Sequence, residues 1–442
     1  ISVQTYYSIR LVNNGSFYIN NTSGKSGGAL NIKDVNHIIN VYCQFLNNSA
    51  KASGGAIYFS TEFNAGHSKI TNVFSVFHNN VGDSGGVFNI ETAKTIINYR
   101  IYCRSNSATA QGGVFYITKT DKVTNQNSRF ESNRSKFKGG SIYLSHIKYV
   151  ENIKCVYRRN MARFSNGGAC YLEHSQFLLN IKSVFSRSIS QQGGALFAWS
   201  AHNISNLYVK FQGNVAWKNG GAILTVYISH FVIRKCYFIN SSSLSGSGGA
   251  CSLKNAQFLC VQSSAFKNNQ AAIGSVYHVN FADKCRFSRN LFSQNMATAK
   301  AGVLFLNSMS EIYINKAILN KNMADAAGAF YLASCNRIFV HKSSFLNNKA
   351  RSMGIIYLVD FKHMLCLKNN FWFNFKAGVL LLNSGEEYFG HKNFYSTNEV
   401  YEKGSAVNTL KIQKVMISHD KVSGNRAIGS GGGMVFDECD RV

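Results

Sequence analysis

Apolar and polar residues alternate in short runs along most of the chain, and one glycine position interrupts them at a nearly constant interval. Two residues after each of these glycines stands an apolar side chain, as Ile57 follows Gly55, and a second alternating run precedes the next glycine. A period of two residues is typical of β-strands, and no sustained 3.6-residue stripe predicts a helix. The pattern therefore predicts an all-β protein. The glycines are Gly28, Gly55, Gly86, Gly113, Gly140, Gly168, Gly194, Gly221, Gly249, Gly274, Gly302, Gly328, Gly354, Gly378, Gly404 and Gly432.

A second marker, in most cases asparagine, lies a few residues before each glycine, and the whole unit recurs about every 27 residues. Because an asparagine amide can bond the asparagine one coil away, we expect these residues to form a ladder inside a turn. Proline would remove a donor from such continuous ladders, and the chain contains no proline. The predicted ladder is Asn48, Asn80, Asn106, Asn133, Asn160, Asn214, Asn240, Asn269, Asn295, Asn322, Asn348 and Asn374.

Units of this length have no room for a crossover helix, and every unit runs in the same direction. The economical arrangement is a coil in which each strand pairs in parallel with its copy in the next unit. We therefore predict a right-handed parallel β-helix of about 16 coils of about 27 residues. We expect one domain over 1–442, with repeat units from about 17 to 436.

The two markers together resemble the repeats of the chlamydial-type polymorphic membrane proteins, which carry paired GGA[ILV] and FxxN motifs. Here FLNN at 45–48 precedes GGAI at 54–57, and FSQN at 292–295 precedes AGVL at 301–304. Members of that family are secreted β-helical passenger domains that act as adhesins. The resemblance therefore implies an extracellular or cell-surface location and a structural or adhesive role.

An aromatic residue stands three positions after the glycine in nine units. Alternation places these rings opposite the inward aliphatic positions, so they would form an outward stripe able to dock on sugars or on a partner. The alternative is that they only stack on one another and stabilise the sheet. The nine residues are Tyr58, Tyr116, Tyr143, Tyr171, Phe197, Tyr277, Phe305, Tyr331 and Tyr357.

The chain is strongly basic, with 47 Lys and Arg against 20 Asp and Glu and a formal net charge of +27. This charge is spread along the units and favours anionic partners such as polysaccharides. Nucleic acid is a poor candidate because no recognised binding module accompanies the charge. We expect the partners to be other copies of the chain, in a fibre stacked end to end, or other surface proteins. No apolar run is long enough for a transmembrane segment.

An alternative function is a polysaccharide-processing enzyme, a lyase or hydrolase, since β-helix proteins include such enzymes. These need carboxylates that converge from neighbouring coils. The best pair is Asp283 and Glu311, each nine residues after its glycine. With so few acidic residues in the chain, we favour a non-enzymatic role.

The remaining candidate chemistry is weak. Two sets of histidines recur every 28 residues, from His146 to His230 and from His363 to His419, but their offsets from the glycines drift, so we expect neither a metal site nor any other cofactor. Among the 11 cysteines, Cys260 and Cys285 are the best disulfide candidates, because they share one phase in adjacent coils. Candidate N-glycosylation sites are Asn14, Asn20, Asn21, Asn47, Asn133, Asn203 and Asn240.

Overall fold

The computed structural model describes residues 2–4, 10–61, 66–401 and 404–442. All regular secondary structure in these residues is β-strand, arranged as a parallel β-solenoid of about 16 turns, which confirms the predicted fold class. The chain divides into two compact units. Unit 1 comprises Ile1–Trp217 with Ala222–Ile228, and unit 2 comprises Lys218–Gly221 with Ser229–Val442.

In unit 1 each turn of the solenoid passes through a first, a second and a third sheet in that order. The first sheet contains Ser2–Gln4, Arg10–Asn14, Leu30–Lys33, His37–Val41, Ile57–Ser60, Lys69–Val73, Phe88–Ile90, Ala93–Tyr99, Phe115–Gln126, Ile142–Ile153, Cys170–Glu173, Phe177–Ile181 and Leu196–Leu207. The second contains Phe17–Ile19, Gln44–Leu46, Val76–His78, Tyr102–Arg104, Arg129–Glu131, Val156–Arg158, Val184–Ser186 and Lys210–Gln212. The third contains Thr22–Ser23, Ser49–Ala50, Val81–Gly82, Ser107–Ala108, Arg134–Ser135, Met161–Ala162, Ile189–Ser190 and Val215–Ala216.

Unit 2 repeats the same order of sheets, and the strand Ile223–Arg234 contains the boundary between the units. The other first-sheet strands are Cys251–Gln262, Tyr277–Ser288, Leu304–Asn315, Phe330–His341, Ile356–Leu367, Leu380–His391, Val407–Ser418 and Met434–Asp437. The second-sheet strands are Tyr237–Ile239, Ala265–Lys267, Leu291–Ser293, Ile318–Asn320, Ser344–Leu346, Asn370–Trp372, Phe394–Ser396 and Lys421–Ser423. The third-sheet strands are Ser242–Ser243, Gln270–Ile273, Met296–Lys300, Met323–Ala326, Lys349–Ser352, Phe375–Lys376, Glu399–Val400 and Arg426–Ala427.

Strands of one sheet pair in parallel and in register, so equivalent residues lie directly over one another. Phe115 pairs with Ile142 in unit 1, and Leu304 pairs with Phe330 in unit 2. The buried face of each sheet is built from such columns. In the second sheet of unit 1, Phe130, Tyr157 and Phe185 stack with ring centroids 4.8 and 4.7 Å apart and are fully buried. Stacked rings and aliphatic columns of this kind form the core of each unit.

In many coils two adjacent glycines form the turn from the third sheet back to the first, and Gly139 and Gly140 suit this turn for different reasons. Gly139 has a φ of +66°, a conformation that an L side chain adopts at a cost. At Gly140 the space is the limit, because a Cβ atom would lie 2.1 Å from the carbonyl oxygen of Gly168 in the next coil. Close stacking of the turns therefore excludes a side chain here.

None of the described segments forms a helix that is long and apolar enough to cross a membrane.

We expect Gly140→Ala to lower the free energy of unfolding by about 3 kcal/mol, because the added methyl group would push two coils apart. The control is Gly24→Ala, since a Cβ at Gly24 meets nothing within 4 Å. That control should change stability by less than about 1 kcal/mol. Urea unfolding followed by circular dichroism measures both, and equal midpoints for the two variants would contradict the close approach of the turns.

Candidate functional site

The outer aromatic positions of unit 1 form a stack rather than a free stripe. Tyr116, Tyr143, Tyr171 and Phe197 lie on the face opposite the inward residues, with successive ring centroids 4.8, 5.6 and 4.9 Å apart. Tyr143 is 5% exposed, Tyr171 2% and Phe197 7%. Tyr58 is half-buried, and its hydroxyl donates to Glu91 at 2.7 Å. Because the ring faces cover one another, they offer little surface for a flat ligand.

The Glu173 carboxylate lies at the edge of this aromatic stack and contacts two of its neighbours. The Tyr143 hydroxyl donates to Glu173, and the Lys138 ammonium lies 2.9 Å from the same carboxylate and 4.7 Å from the ring centroid of Tyr171. Burial raises the pKa of Tyr143, and its hydrogen bond to Glu173 raises it further. Burial also disfavours ionised Glu173, but the hydrogen bonds from Tyr143 and Lys138 outweigh it and lower the pKa of the carboxyl group. The cluster is a satisfied ionic network.

In unit 2 the corresponding stack contains His278, Phe305, Tyr331 and Tyr357, with successive centroids 5.1, 5.1 and 5.0 Å apart. The outward position predicted for Tyr277 is wrong. Tyr277 pairs with Cys251 and Leu304 on the inward face and is fully buried.

The error at Tyr277 arises from the glycine before it. Gly274 has a φ of +60° and takes the first position of the glycine pair, like Gly248 with a φ of +70°. Ser275 therefore takes the second position of the pair. The sequence pattern predicts Gly274 there, so each following residue of this coil lies one position away from its predicted place in the repeat.

The marker asparagines form hydrogen-bonded columns inside the turn between the second and third sheets. In each repeat of the pattern, the backbone N–H and the side-chain amide of one asparagine both donate to the Oδ1 of the next. For Asn106 and Asn133 these distances are 3.0 and 3.1 Å, and the Asn106 amide also donates to the Phe77 carbonyl at 2.9 Å. The same bonds link Asn21, Asn48, Asn80, Asn106, Asn133 and Asn160 in unit 1, and Asn269, Asn295, Asn322, Asn348, Asn374, Asn398 and Asn425 in unit 2.

Serine replaces asparagine at two of these positions. The backbone N–H of Ser188 donates to Asn214 at 3.1 Å, and that of Ser241 donates to Asn269 at 3.1 Å. The assignment of Asn240 to the ladder is therefore wrong. Asn240 is exposed with a φ of 53°, and it lies one residue before the ladder position because that position comes three residues after the inward Phe238.

Unit 1 contains a second asparagine ladder that the sequence reasoning missed. Its members are buried in the first sheet, and their side-chain amides bond in series at 2.7 to 2.9 Å. In unit 2 the equivalent strand position holds apolar residues such as Val261 and Phe287. The available signal was an asparagine eight residues before each marker. The members are Asn13, Asn40, Asn72, Asn98, Asn125, Asn152, Asn180 and Asn206.

The two carboxylates of the candidate enzyme site are not equivalent. Glu311 pairs with Lys284, so Asp283 lies one residue before the position that is equivalent to Glu311. The cause is again that Gly274 takes the first position of the glycine pair. The Glu311 carboxylate lies 3.3 Å from the Lys284 ammonium and 3.9 Å from the Arg337 guanidinium. The structure therefore places Glu311 in an ionic column and does not align Asp283 with it.

The cysteine pair is displaced in the same way. Cys285 pairs with Leu259 on the buried face, whereas Cys260 pairs with Arg286 and is half-buried. Their thiols are free and belong to opposite faces of the sheet, so the predicted Cys260–Cys285 disulfide is wrong.

The predicted histidine sets do not form continuous columns, and only some neighbouring rings contact each other. His146 and His174 have ring centroids 5.1 Å apart, and His391 and His419 are 5.2 Å apart. His202 instead lies against Phe177, at 6.1 Å. Over the described residues, no three His, Cys, Asp or Glu side chains are grouped so that they could hold a metal ion.

The prediction of N-glycosylation at Asn133 is wrong for the folded chain. Asn133 is fully buried, and both the oxygen and the nitrogen of its side-chain amide are hydrogen-bonded. Asn203 is half-buried. The side chains of Asn14, Asn20, Asn21, Asn47 and Asn240 are exposed.

Asn269→Ala should lower the free energy of unfolding by about 3 kcal/mol, because it leaves the Ser241 N–H and the Phe238 carbonyl without their partner inside the turn. The control is the neighbouring, exposed Asn268→Ala, which loses only a residue suited to its φ of 53° and should cost about 1 kcal/mol. Urea unfolding measures both. If the two substitutions cost the same, the ladder does not stabilise the turn.

Glu173→Gln should lower stability by about 2 kcal/mol at neutral pH, because the charged acceptor for Tyr143 and Lys138 becomes a neutral amide. Because folding lowers the pKa of Glu173, its contribution is present above the ordinary glutamate pKa of 4.5 and is lost as the pH falls through the lowered value. The difference between wild type and variant should therefore shrink in acid. Urea unfolding of wild type and variant, measured from neutral to acidic pH, tests this expectation. The control is Glu438→Gln, because Glu438 is exposed. A difference that is independent of pH would contradict the assignment.

No curated protein and no solved structure matches the chain. A family model does match: residues 42–60 correspond to the Chlamydia polymorphic membrane protein (Chlamydia_PMP) repeat. This segment contains the strands Gln44–Leu46, Ser49–Ala50 and Ile57–Ser60, together with Asn48 and the glycine pair. Residues 42–60 are therefore similar to a polymorphic membrane protein repeat and lie within a parallel β-solenoid, which is consistent with a passenger domain of that type.

Proposed function

We propose that the chain is a non-enzymatic structural and adhesive protein of the cell surface or extracellular space. The observation that carries this proposal is the polymorphic membrane protein repeat at residues 42–60, embedded in a parallel solenoid. The mechanism is presentation. Coils stacked in register display outward side chains at intervals of about 4.8 Å, and a partner meets the same chemistry several times.

The internal hydrogen bonds support a rigid display surface. Ladder asparagines such as Asn106 and Asn322 satisfy the turn backbone without water, so the turns need no partner to become ordered. A surface that is already ordered loses little conformational entropy when it binds. The net charge of +27 favours anionic partners, including polysaccharides and acidic surface proteins.

The setting of Glu311 favours this role over polysaccharide cleavage. Cleavage of a glycosidic bond typically uses two carboxyl groups that face the same bond. Glu311 instead lies between Lys284 and Arg337, and Asp283 lies out of phase with it.

Antibodies raised against the purified chain should label intact cells that produce it as strongly as permeabilised cells. Beads coated with the chain should adhere to surfaces that carry acidic glycans or proteins more than beads coated with albumin do. Labelling that appears only after permeabilisation would contradict the surface role.

A turnover assay tests the alternative function, a polysaccharide-processing enzyme. Wild type and the Asp283→Ala, Glu311→Ala double variant should show the same absence of turnover on a panel of acidic polysaccharides. Cleavage by the wild type that the double variant loses would replace the adhesive proposal with the catalytic one.

A further inference from the structure

One column of unit 2 consists of exposed basic side chains in consecutive coils. Each member directly follows a long first-sheet strand and has a left-handed backbone conformation, with a φ between 48° and 56°. We call this column the basic ladder. It consists of Arg289, Lys316, Lys342, Lys368 and Lys392, all of which are exposed.

Backbone hydrogen bonds hold the ladder in register. The N–H of Lys316 donates to the carbonyl of His341, the residue immediately before Lys342, at 3.0 Å. Lys342 and Lys368 repeat this contact one coil further on, at 3.0 and 2.9 Å. With one coil every ~4.8 Å, five charges occupy a single file roughly 19 Å long. The spacing is set by the sheet, while the long side chains can adjust to a ligand.

Within the described residues, the basic ladder carries no internal counter-ions. None of its five side chains makes an ion pair with any carboxylate that the structure describes, whereas Lys284 and Lys414 elsewhere in unit 2 do. No Asp or Glu stands within two residues of any ladder member. In the following coil, the Asp420 carboxylate accepts a hydrogen bond from the backbone N–H of Asn393 at 2.7 Å.

The field of the ladder acts on a neighbouring group. Burial lowers the pKa of His341, and the charges of Lys342, Lys368 and Lys316 lower it further. Like charges in adjacent positions of a sheet repel one another, so an anion lying along the column would relieve an existing repulsion.

We propose that the basic ladder binds a linear anionic polysaccharide along the direction in which the coils stack, with one sulfate or carboxylate facing each coil. This inference rests on the proposed extracellular role and names the partner class for one surface. A pyranose ring advances a polysaccharide by a length comparable to one coil. The half-buried His341 stands immediately before Lys342, and its imidazole is a polar group that can hydrogen-bond to a sugar hydroxyl.

The flanks of the ladder favour a polysaccharide over single-stranded nucleic acid. Nucleic acid binding of this kind uses aromatic faces on which bases stack. Beside the ladder, Tyr313 and Phe339 stack on each other with centroids 4.7 Å apart and planes within 3°, so these two rings cover each other's facing sides. The ladder is also one residue wide, which suits a polymer more closely than a planar membrane surface.

The test compares two variants of the full chain with equal charge change. The ladder variant carries Arg289→Gln, Lys316→Gln, Lys342→Gln, Lys368→Gln and Lys392→Gln. The control variant carries Lys25→Gln, Lys51→Gln, Lys94→Gln, Arg104→Gln and Lys267→Gln, which replace exposed residues outside the ladder. The probe is heparin, a sulfated polysaccharide, with binding measured by surface plasmon resonance at several salt concentrations.

The ladder variant should bind heparin at least about tenfold more weakly, with a shallower salt dependence, while the control changes by less than about threefold. Heparin should also raise the unfolding temperature of wild type and control but not of the ladder variant. Equal losses in both variants would overturn the proposal, since net charge alone would then explain binding. Tighter, ladder-dependent binding to oligothymidine or to phosphatidylserine vesicles would assign the ladder to nucleic acid or membrane instead.

Two further measurements keep these results interpretable. Circular dichroism and the unfolding temperature without ligand establish that both variants fold. A variant with Lys→Arg at the four ladder lysines should keep heparin binding because it keeps the charges. Cell-surface labelling does not depend on the ladder, so loss of heparin binding without loss of labelling would remove this inference and leave the surface role intact.

Discussion

The structure depends on one constraint: in a parallel solenoid every residue lies over the equivalent residue of the next coil. Where a buried position is polar in consecutive coils, the natural partner of each group is therefore its own copy in the next coil. Asparagine meets this requirement because its amide both donates and accepts. In the turn ladders it bonds the next asparagine and still has an N–H for a carbonyl such as that of Phe77.

The same constraint acts on the outer surface. Rings that recur in register stack face to face, so the aromatic column from Tyr116 to Phe197 largely buries itself. Charges that recur in register cannot stack favourably. They either alternate in sign, as around Glu311, or remain in solvent, as in the basic ladder. A solenoid thus turns one residue type per repeat into an extended surface of one chemistry.

The match at residues 42–60 and the geometry of the coils support one another. The matched segment contains a complete second and third strand, a ladder asparagine and a glycine pair, which are the parts that make coils stack. These parts set the fold. The outward residues between the motifs are not set by this stacking.

The sequence by itself determined the all-β solenoid, its repeat length and the ladder positions of residues such as Asn106 and Asn322, because glycine and asparagine recur at most of the positions where turns stack closely. Only the tertiary structure decided the phase of individual coils. A lone glycine such as Gly274 can take either position of the pair, and the choice moved Tyr277, Asp283 and Cys285 by one residue. Side chains alternate between the two faces of a strand, so a shift of one residue exchanges inside and outside. The stacking of the outer rings and the isolation of the basic ladder likewise depend on contacts between residues about 27 positions apart, which local patterns do not specify.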